Sequence, residues 1–244
     1  MIKVLVIVPA YNEQDSIEEV IKKLETISIK NVILDYIIIN DCSTDDTKNI
    51  CISKNFHYID LPVNLGIGGG VQTGYKYAVE KNYDIAIQMD GDGQHDPEYI
   101  ENLITPLINK EADMVIGSRF IDKDGFQSST MRRIGISFLK RLINLCCKKE
   151  INDTTSGFRA TSKALTLFFS RNYAQDYPEP EAIIAAVLNQ YRVIETPVVM
   201  KERQGGESSI KAWNSIYYMI KVSLAILIYR LGNSRKINGE KNEC

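Results

Sequence analysis

The first 118 residues of this 244-residue chain contain no arginine. Cysteine is scarce: the five present, Cys42, Cys51, Cys146, Cys147 and Cys244, are odd in number and form no CxxC spacing. That disfavours a disulfide framework and a cysteine-based zinc site, and a reducing cytoplasm is expected. Long apolar runs are also missing. The stretch 212–231 is apolar but broken by Asn214, Ser215, Lys221 and Ser223. A spanning helix needs about 20 largely apolar residues, so this one reads as an interfacial helix, with Trp213, Tyr217, Tyr218 and Tyr229 suited to a headgroup region. Residues 2–9 lack the charged and small-residue marks of a secretory signal and read as a buried strand. No internal repeat or low-complexity segment is present. A hydrophobic content of 44% and a charged content of 25% speak against wholesale disorder.

What is present is unevenly distributed. The net charge of −2 divides into −10 over residues 1–118 and +8 over residues 119–244. A basic half suggests an anionic partner. An anionic lipid surface fits better than nucleic acid, although a solvated surface would explain part of the asymmetry. Residues 131–149 have helical spacing at Ile134, Phe138 and Leu142, with Arg132, Arg133, Lys140, Arg141, Lys148 and Lys149 around them. This basic amphipathic pattern suits a membrane surface or a helix packed on a sheet.

Strand-like and helix-like runs alternate through the first half. Residues 4–8, 36–39, 57–61, 84–89 and 114–117 read as strands. Residues 16–27 read as a helix capped by Asp15 or Ser16. A glycine-rich loop at 64–70 leads into a helix over 71–80. The pattern predicts an α/β fold, an open and mainly parallel sheet with helices on both faces. Ligands of such sheets sit outside the carboxyl ends of the strands. Asn12-Glu13, Asp41 and Asp90-Gly91-Asp92 each follow a strand-like run and should converge there.

Asp90-Gly91-Asp92-Gly93-Gln94-His95 carries the most chemistry. Two carboxylates one residue apart, with Gln94 beyond them, offer hard oxygen ligands to Mg²⁺ or Mn²⁺. Such a cation would neutralise a diphosphate and help it leave. Asp-x-Asp alone is common; the preceding strand and the Asp96-Pro97 helix start strengthen the case. Asn40-Asp41 offers a carboxylate to a base or ribose, with helix capping as the plainer reading. The loop Asn64-Leu65-Gly66-Ile67-Gly68-Gly69-Gly70 lacks the ending of a P-loop, and its glycines permit close backbone approach.

Together and in this order these segments resemble the family 2 glycosyltransferases of GT-A fold, within them the dolichyl-phosphate mannose synthase and polyprenyl-phosphate glycosyltransferase branch. The resemblance covers residues 3–211. It also rests on Gly117-Ser118-Arg119-Phe120, Thr155-Ser156-Gly157-Phe158-Arg159 and Arg203-Gln204-Gly205-Gly206-Glu207-Ser208-Ser209. It implies a GT-A domain over 1–211, with a nucleotide-sugar half (1–118) and an acceptor half (119–211). An interfacial helix over 212–231 and a disordered tail over 232–244 would follow. Pro9, Tyr11, Glu13, Asp41, Gly68 and Asp90 would line the nucleotide-sugar site, and Asp90, Asp92 and Gln94 would hold the metal. Arg119, Arg133, Arg203 and Ser208 would meet an anionic acceptor or the donor phosphates.

Asp92 and Arg119 would serve the chemistry directly. If the acceptor were a hydroxyl, Asp153, Glu179 or Glu181 would be candidate bases. The expected activity is inverting, metal-dependent transfer from a nucleoside-diphosphate sugar to a polyprenyl-phosphate lipid. The expected place is the inner face of the membrane, with peripheral contact and no nucleic-acid partner. A homo-oligomer is compatible with this picture. Alternatives are transfer to a hydroxyl of a lipid-linked surface glycan, and a non-catalytic nucleotide-sugar-binding subunit. Departures from the branch are Asn40 in place of a first acid, the missing spanning tail, and two prolines in Tyr177-Pro178-Glu179-Pro180-Glu181.

Overall fold

A computed structural model describes residues 1–122, 130–176, 178–201 and 221–230. Among these, seven strands form one sheet: β1 (Ile2–Ala10), β2 (Val32–Asn40), β3 (Tyr58–Asp60), β4 (Ile85–Gln88), β5 (Met114–Ser118), β6 (Arg159–Ser162) and β7 (Val193–Pro197). The spatial order is β3-β2-β1-β4-β6-β5-β7. All neighbours are parallel except β6, which runs antiparallel to both β4 and β5. The helices are α1 (Ile17–Glu25), α2 (Thr47–Ser53), α3 (Gly66–Glu80), α4 (Ile100–Ile108), α5 (Thr130–Cys147), α6 (Lys163–Arg171) and α7 (Pro178–Leu188). The expected mainly parallel α/β sheet is the observed one. The reversed strand was not foreseen.

β1 explains why the sheet is covered twice. Its side chains alternate between faces, and both faces are apolar. Leu5 and Ile7 join a core with Val71 and Tyr75 of α3 and Phe169 of α6. Val4, Val6 and Val8 join a second core with Ile17 and Ile21 of α1 and Leu103 of α4. Each fully buried Val, Leu or Ile contributes about 1.5–3 kcal/mol. In α1, Ile17, Val20, Ile21 and Leu24 face inward at helical spacing. Its outer face carries Glu18–Lys22 and Glu19–Lys23 pairs at 2.6 and 2.7 Å.

Several local expectations are corrected. Residues 66–70 are not a loop but the first turns of α3. Glycine's low helix propensity hides this, and packing overrides it. A Cβ on Gly68 would lie 2.1 Å from the Ala174 carbonyl oxygen and 2.3 Å from that of Gln175; one on Gly74 would lie 2.2 Å from Ile7 Cγ2. The glycines let α3 lie directly on backbone and on β1. Gly70 is different: its added Cβ would meet nothing closer than Pro9 Cβ at 3.8 Å. Gly70→Ala is therefore expected to stabilise the protein by about 0.5–1 kcal/mol. Gly68→Ala should destabilise it by about 1–3 kcal/mol. Urea titrations of the two variants should move in opposite directions; equal shifts would contradict this packing.

Ser16 occupies the N-cap position of α1 but makes no capping bond there. Its hydroxyl proton is shared between two acceptors, the Gly91 carbonyl at 2.8 Å and Glu13 Oε2 at 3.0 Å. Among the described side chains of α5 those buried are Leu139, Ile143 and Cys146, while Phe138 is 51% exposed. Of the expected stripe, Leu142 packs against the same core and the Ile134 side chain lies outside the described residues, so Phe138 alone is seen to face outward. Residues 221–230 are helical, within the expected 212–231 segment. Val222 and Ile226 reach the same core as Leu139 and Ile143, and the Arg230 guanidinium donates to the carbonyls of Leu145 and Cys146. Among the described residues, no helix is long and apolar enough to cross a membrane. The prolines of α7 fall in its first turn, where no intrahelical N–H bond is lost.

Candidate active site

The loops after β1 and β2 are stitched to each other. Asn12 takes a left-handed φ of 57°, and its side chain accepts from Thr44 N–H at 2.8 Å. Asn12 N–H donates to Ser43 Oγ at 3.0 Å, and Glu13 N–H to Thr47 Oγ1 at 2.8 Å. Gln14 and Asp45–Asp46 exchange two further bonds. Glu13 and Asp41 are buried beside this seam, whereas Tyr11 is 49% exposed above it. Asp41 does not cap α2, the helix that follows it. Its Oδ1 accepts from Leu65 N–H at 2.7 Å, at the start of α3. Burial raises the Asp41 carboxyl above its usual range, against the pull of the Leu65 and Gly66 N–H groups. Asn40 donates to Asp60 Oδ1 at 2.6 Å; a carboxylate there would face Asp60 instead. Pro9 lies within β1 and near Gly70. Gly68 faces the other way, its N–H donating to the Gln175 carbonyl at 3.1 Å.

β4 delivers Asp90 and Asp92 to the same end of the sheet. Asp92 is 8% exposed and accepts from Gln94 N–H at 3.0 Å, while Gly93 takes φ 76° to make the turn. Asp90 is gripped on both oxygens: Gln88 Nε2 lies 3.3 Å from Oδ1 and His95 Nε2 3.2 Å from Oδ2. A carboxylate is an acceptor only, so the facing His95 nitrogen carries the proton. Tyr173 in turn donates to Gln88 Oε1 at 3.3 Å. Burial pushes the Asp90 carboxyl upward, but the His95 bond and the nearby Arg159 charge outweigh it and hold it below its ordinary value. Lys201 reaches this loop after β7, its N–H donating to the Gln94 carbonyl at 2.9 Å and its Nζ lying 2.5 Å from Asp96 Oδ2.

The segment 153–159 joins this acidic end to the first arginine. Asp153 meets Arg119 edge-on, with Nε and Nη2 each 2.7 Å from a carboxylate oxygen. Arg119 Nη2 also donates to Thr155 Oγ1 at 2.8 Å. A few residues on, Gly157 lies against Asp90: an added Cβ would fall 2.4 Å from Asp90 Oδ2. Arg159, opposite Gln88 in the β4–β6 ladder, is fully buried. It donates to the carbonyls of Ser156 and Glu179.

Sequence reasoning singled out neither Gly157, Arg159, Gln88 nor Glu195 for a role. The motif Ser156-Gly157-Phe158-Arg159 was the available signal for two of them. Asp153, named as a base, is fully buried with its carboxylate engaged by Arg119, the arrangement of a counter-ion rather than of a proton acceptor open to substrate. Glu179 lies near Asp90 and Arg159; burial raises its carboxyl, opposed by the Arg159 charge. The Glu181 carboxyl is raised by burial and then by Asp176, and drawn down by Lys221. Arg203 and Ser208 lie outside the described residues, and Arg133 falls on α5 with its side chain outside them.

Among the described residues, no group of three or more His, Cys, Asp or Glu side chains is arranged to hold a metal. Asp90, Asp92 and Gln94 carry oxygen donors of the type that a hard cation such as Mg²⁺ or Mn²⁺ takes. Such ions are held by one or two carboxylates and complete their shell with phosphate oxygens and water.

A family model described as Glycosyl transferase family 2 matches residues 5–167. The UDP-N-acetylglucosamine–dolichyl-phosphate N-acetylglucosaminyltransferase of Methanococcus voltae is 29% identical over 252 residues, covering 94% of this chain and 96% of that protein. The undecaprenyl-phosphate mannosyltransferase of Micrococcus luteus is 27% identical over 218 residues, covering 85% and 87%. The solved structure of glucosyl-3-phosphoglycerate synthase from Mycobacterium tuberculosis, in complex with Mn²⁺, uridine diphosphate and phosphoglyceric acid, superposes with a TM-score of 0.70. It is 20% identical and covers 94% of this chain and 78% of that one, a likeness of fold.

Proposed function

Because the chain belongs to glycosyl transferase family 2, in its polyprenyl-phosphate branch, we propose that it moves a sugar from a nucleoside-diphosphate donor to a polyprenyl phosphate. The observation that carries this reading is the segment 153–159, which touches Asp90 through Gly157 and Arg119 through Asp153. A diphosphate-and-metal end and an anion-binding end would thereby be held as one site. Residues 1–118 would serve the donor and 119–211 the acceptor.

Glu13, Asp41 and the exposed Tyr11 would receive the nucleoside, with Pro9 beneath it. Asp90, Asp92 and Gln94 would hold Mg²⁺ or Mn²⁺. When bound, that cation neutralises the leaving diphosphate. Arg119, with Arg133, Arg203 and Ser208, would orient the acceptor phosphate; a planar guanidinium suits phosphate better than an ammonium does. The phosphate oxygen attacks the anomeric carbon as the bond to the diphosphate oxygen breaks, with inversion. The acceptor is already an anion at neutral pH, so no side chain need take a proton.

Two features support peripheral contact with a membrane surface, which this reading puts at the inner face. Phe138 and Leu145 on α5 are exposed, as are Leu224, Leu227 and Ile228 on the helix beside it. Lys148 and Lys149 lie at the end of α5, where they can meet anionic lipid. The second reading, transfer to a glycan hydroxyl, is favoured by Glu179 alone, whose raised carboxyl near Asp90 suits a general base.

The test is a panel of UDP- and GDP-sugars with Mn²⁺ and undecaprenyl phosphate in detergent micelles. A product that partitions into organic solvent and is cleaved by mild acid is expected. Transfer to aqueous glycans alone would overturn the lipid-phosphate reading in favour of the second.

A further inference from the structure

An arginine that reads a phosphate must be aimed as well as present. Arg119 follows β5 directly, and its orientation is set by Asp153. Asp153 sits on the connection between α5 and β6, outside any strand ladder. What fixes it is Glu195 on β7. One Glu195 oxygen accepts from Asp153 N–H at 2.7 Å. The other accepts from Asn152 N–H at 2.8 Å and from the Asn152 side-chain amide at 2.9 Å. Lys140 of α5 donates to Asn152 Oδ1 at 2.6 Å, closing the chain of contacts. Glu195 is itself anchored by the β5–β7 ladder, opposite Ile116, on the strand that leads to Arg119. Its carboxylate thus takes three N–H groups of the 152–153 segment.

We propose that Glu195 is a positioning residue for the acceptor. It holds the 152–153 backbone so that Asp153 presents the Arg119 guanidinium to the acceptor's anionic end in one orientation. The inference rests on the reading of Arg119 as an acceptor-binding cation. Glu195 touches no substrate; it acts through Asp153. A glutamine cannot replace it, because its amide nitrogen would set a donor against a backbone N–H.

The experiment is steady-state kinetics of Glu195→Gln, Asp153→Asn and their double variant. Undecaprenyl phosphate in detergent micelles is varied at saturating donor, the nucleotide sugar selected by the panel above. Affinity for the corresponding nucleoside diphosphate with Mn²⁺ is measured separately by calorimetry. E195Q should raise the acceptor KM about tenfold, the scale of a charge-assisted hydrogen bond. Nucleotide affinity should stay at the parental value. The double variant should be no worse than D153N, because the two residues act in series. A merely structural role would instead weaken nucleotide and acceptor together.

If E195Q does not fold, Asn152→Ala, which removes one of the three bonds, should give the same split on a smaller scale. A parental acceptor KM in a folded E195Q, or in N152A should E195Q not fold, overturns the proposal. An unchanged acceptor KM in Arg119→Lys would instead overturn the underlying reading of Arg119.

Discussion

Replacing Asp92 by asparagine is expected to lower turnover by about a hundred- to ten-thousand-fold without unfolding the protein. Asp92 Oδ1 accepts the Gln94 N–H, and an asparagine oxygen can do the same, so the turn after β4 survives. The negative charge does not survive. A divalent cation that loses one of two carboxylates binds weakly, and its stabilisation of a leaving diphosphate is worth several kcal/mol. Nucleoside-diphosphate release at saturating donor, beside a thermal melt, is the measurement. A folded variant with parental turnover would remove Asp92 from the metal site.

Gly157→Ala should do comparable damage with a single methyl group. The new Cβ would sit 2.4 Å from Asp90 Oδ2 and 2.8 Å from Oδ1. Those atoms are the end of a side chain, not backbone, so the carboxylate rotates away and the fold yields little. Gly157 does not have a left-handed φ, so alanine is not strained there. The cost falls on the site: Asp90 leaves His95 and Gln88 and no longer points where the donor's diphosphate would lie. A misplacement of about 1 Å can lower a rate about a hundredfold. The expected signature is near-parental melting with turnover down by about that factor and weakened Mn²⁺ affinity. Parental turnover would mean that Asp90 is not positioned through Gly157.

How much of this was legible beforehand depended on the range of the signal. β1, β2 and β4 announce themselves as buried apolar runs, and Asp90 and Asp92 follow the last of them. β6 does not: Arg159–Ser162 is polar for a strand buried in mid-sheet, and only its neighbours β4 and β5 make it one. Arg159 is buried because the Ser156 and Glu179 carbonyls receive it, contacts no local pattern encodes. The glycines of α3 were misread because propensity argues for a loop, whereas the deciding atoms belong to Ala174, Gln175 and Ile7. Asp153 looked like a free acid until its partner Arg119 was in place. Glu195 carried no signal at all, since an acid on an edge strand is ordinarily solvated.

The placing of Asp153, Gly157 and Arg159 on one short segment has a thermodynamic meaning. A ligand that steadies the segment from the Arg119 side also steadies the wall against which Asp90 rests, and the reverse holds with equal strength. Donor and acceptor would then be linked ligands, each altering the other's affinity by the same factor. That coupling needs no moving domain; it requires only that the segment supply one shared backbone between Asp90 and Arg119.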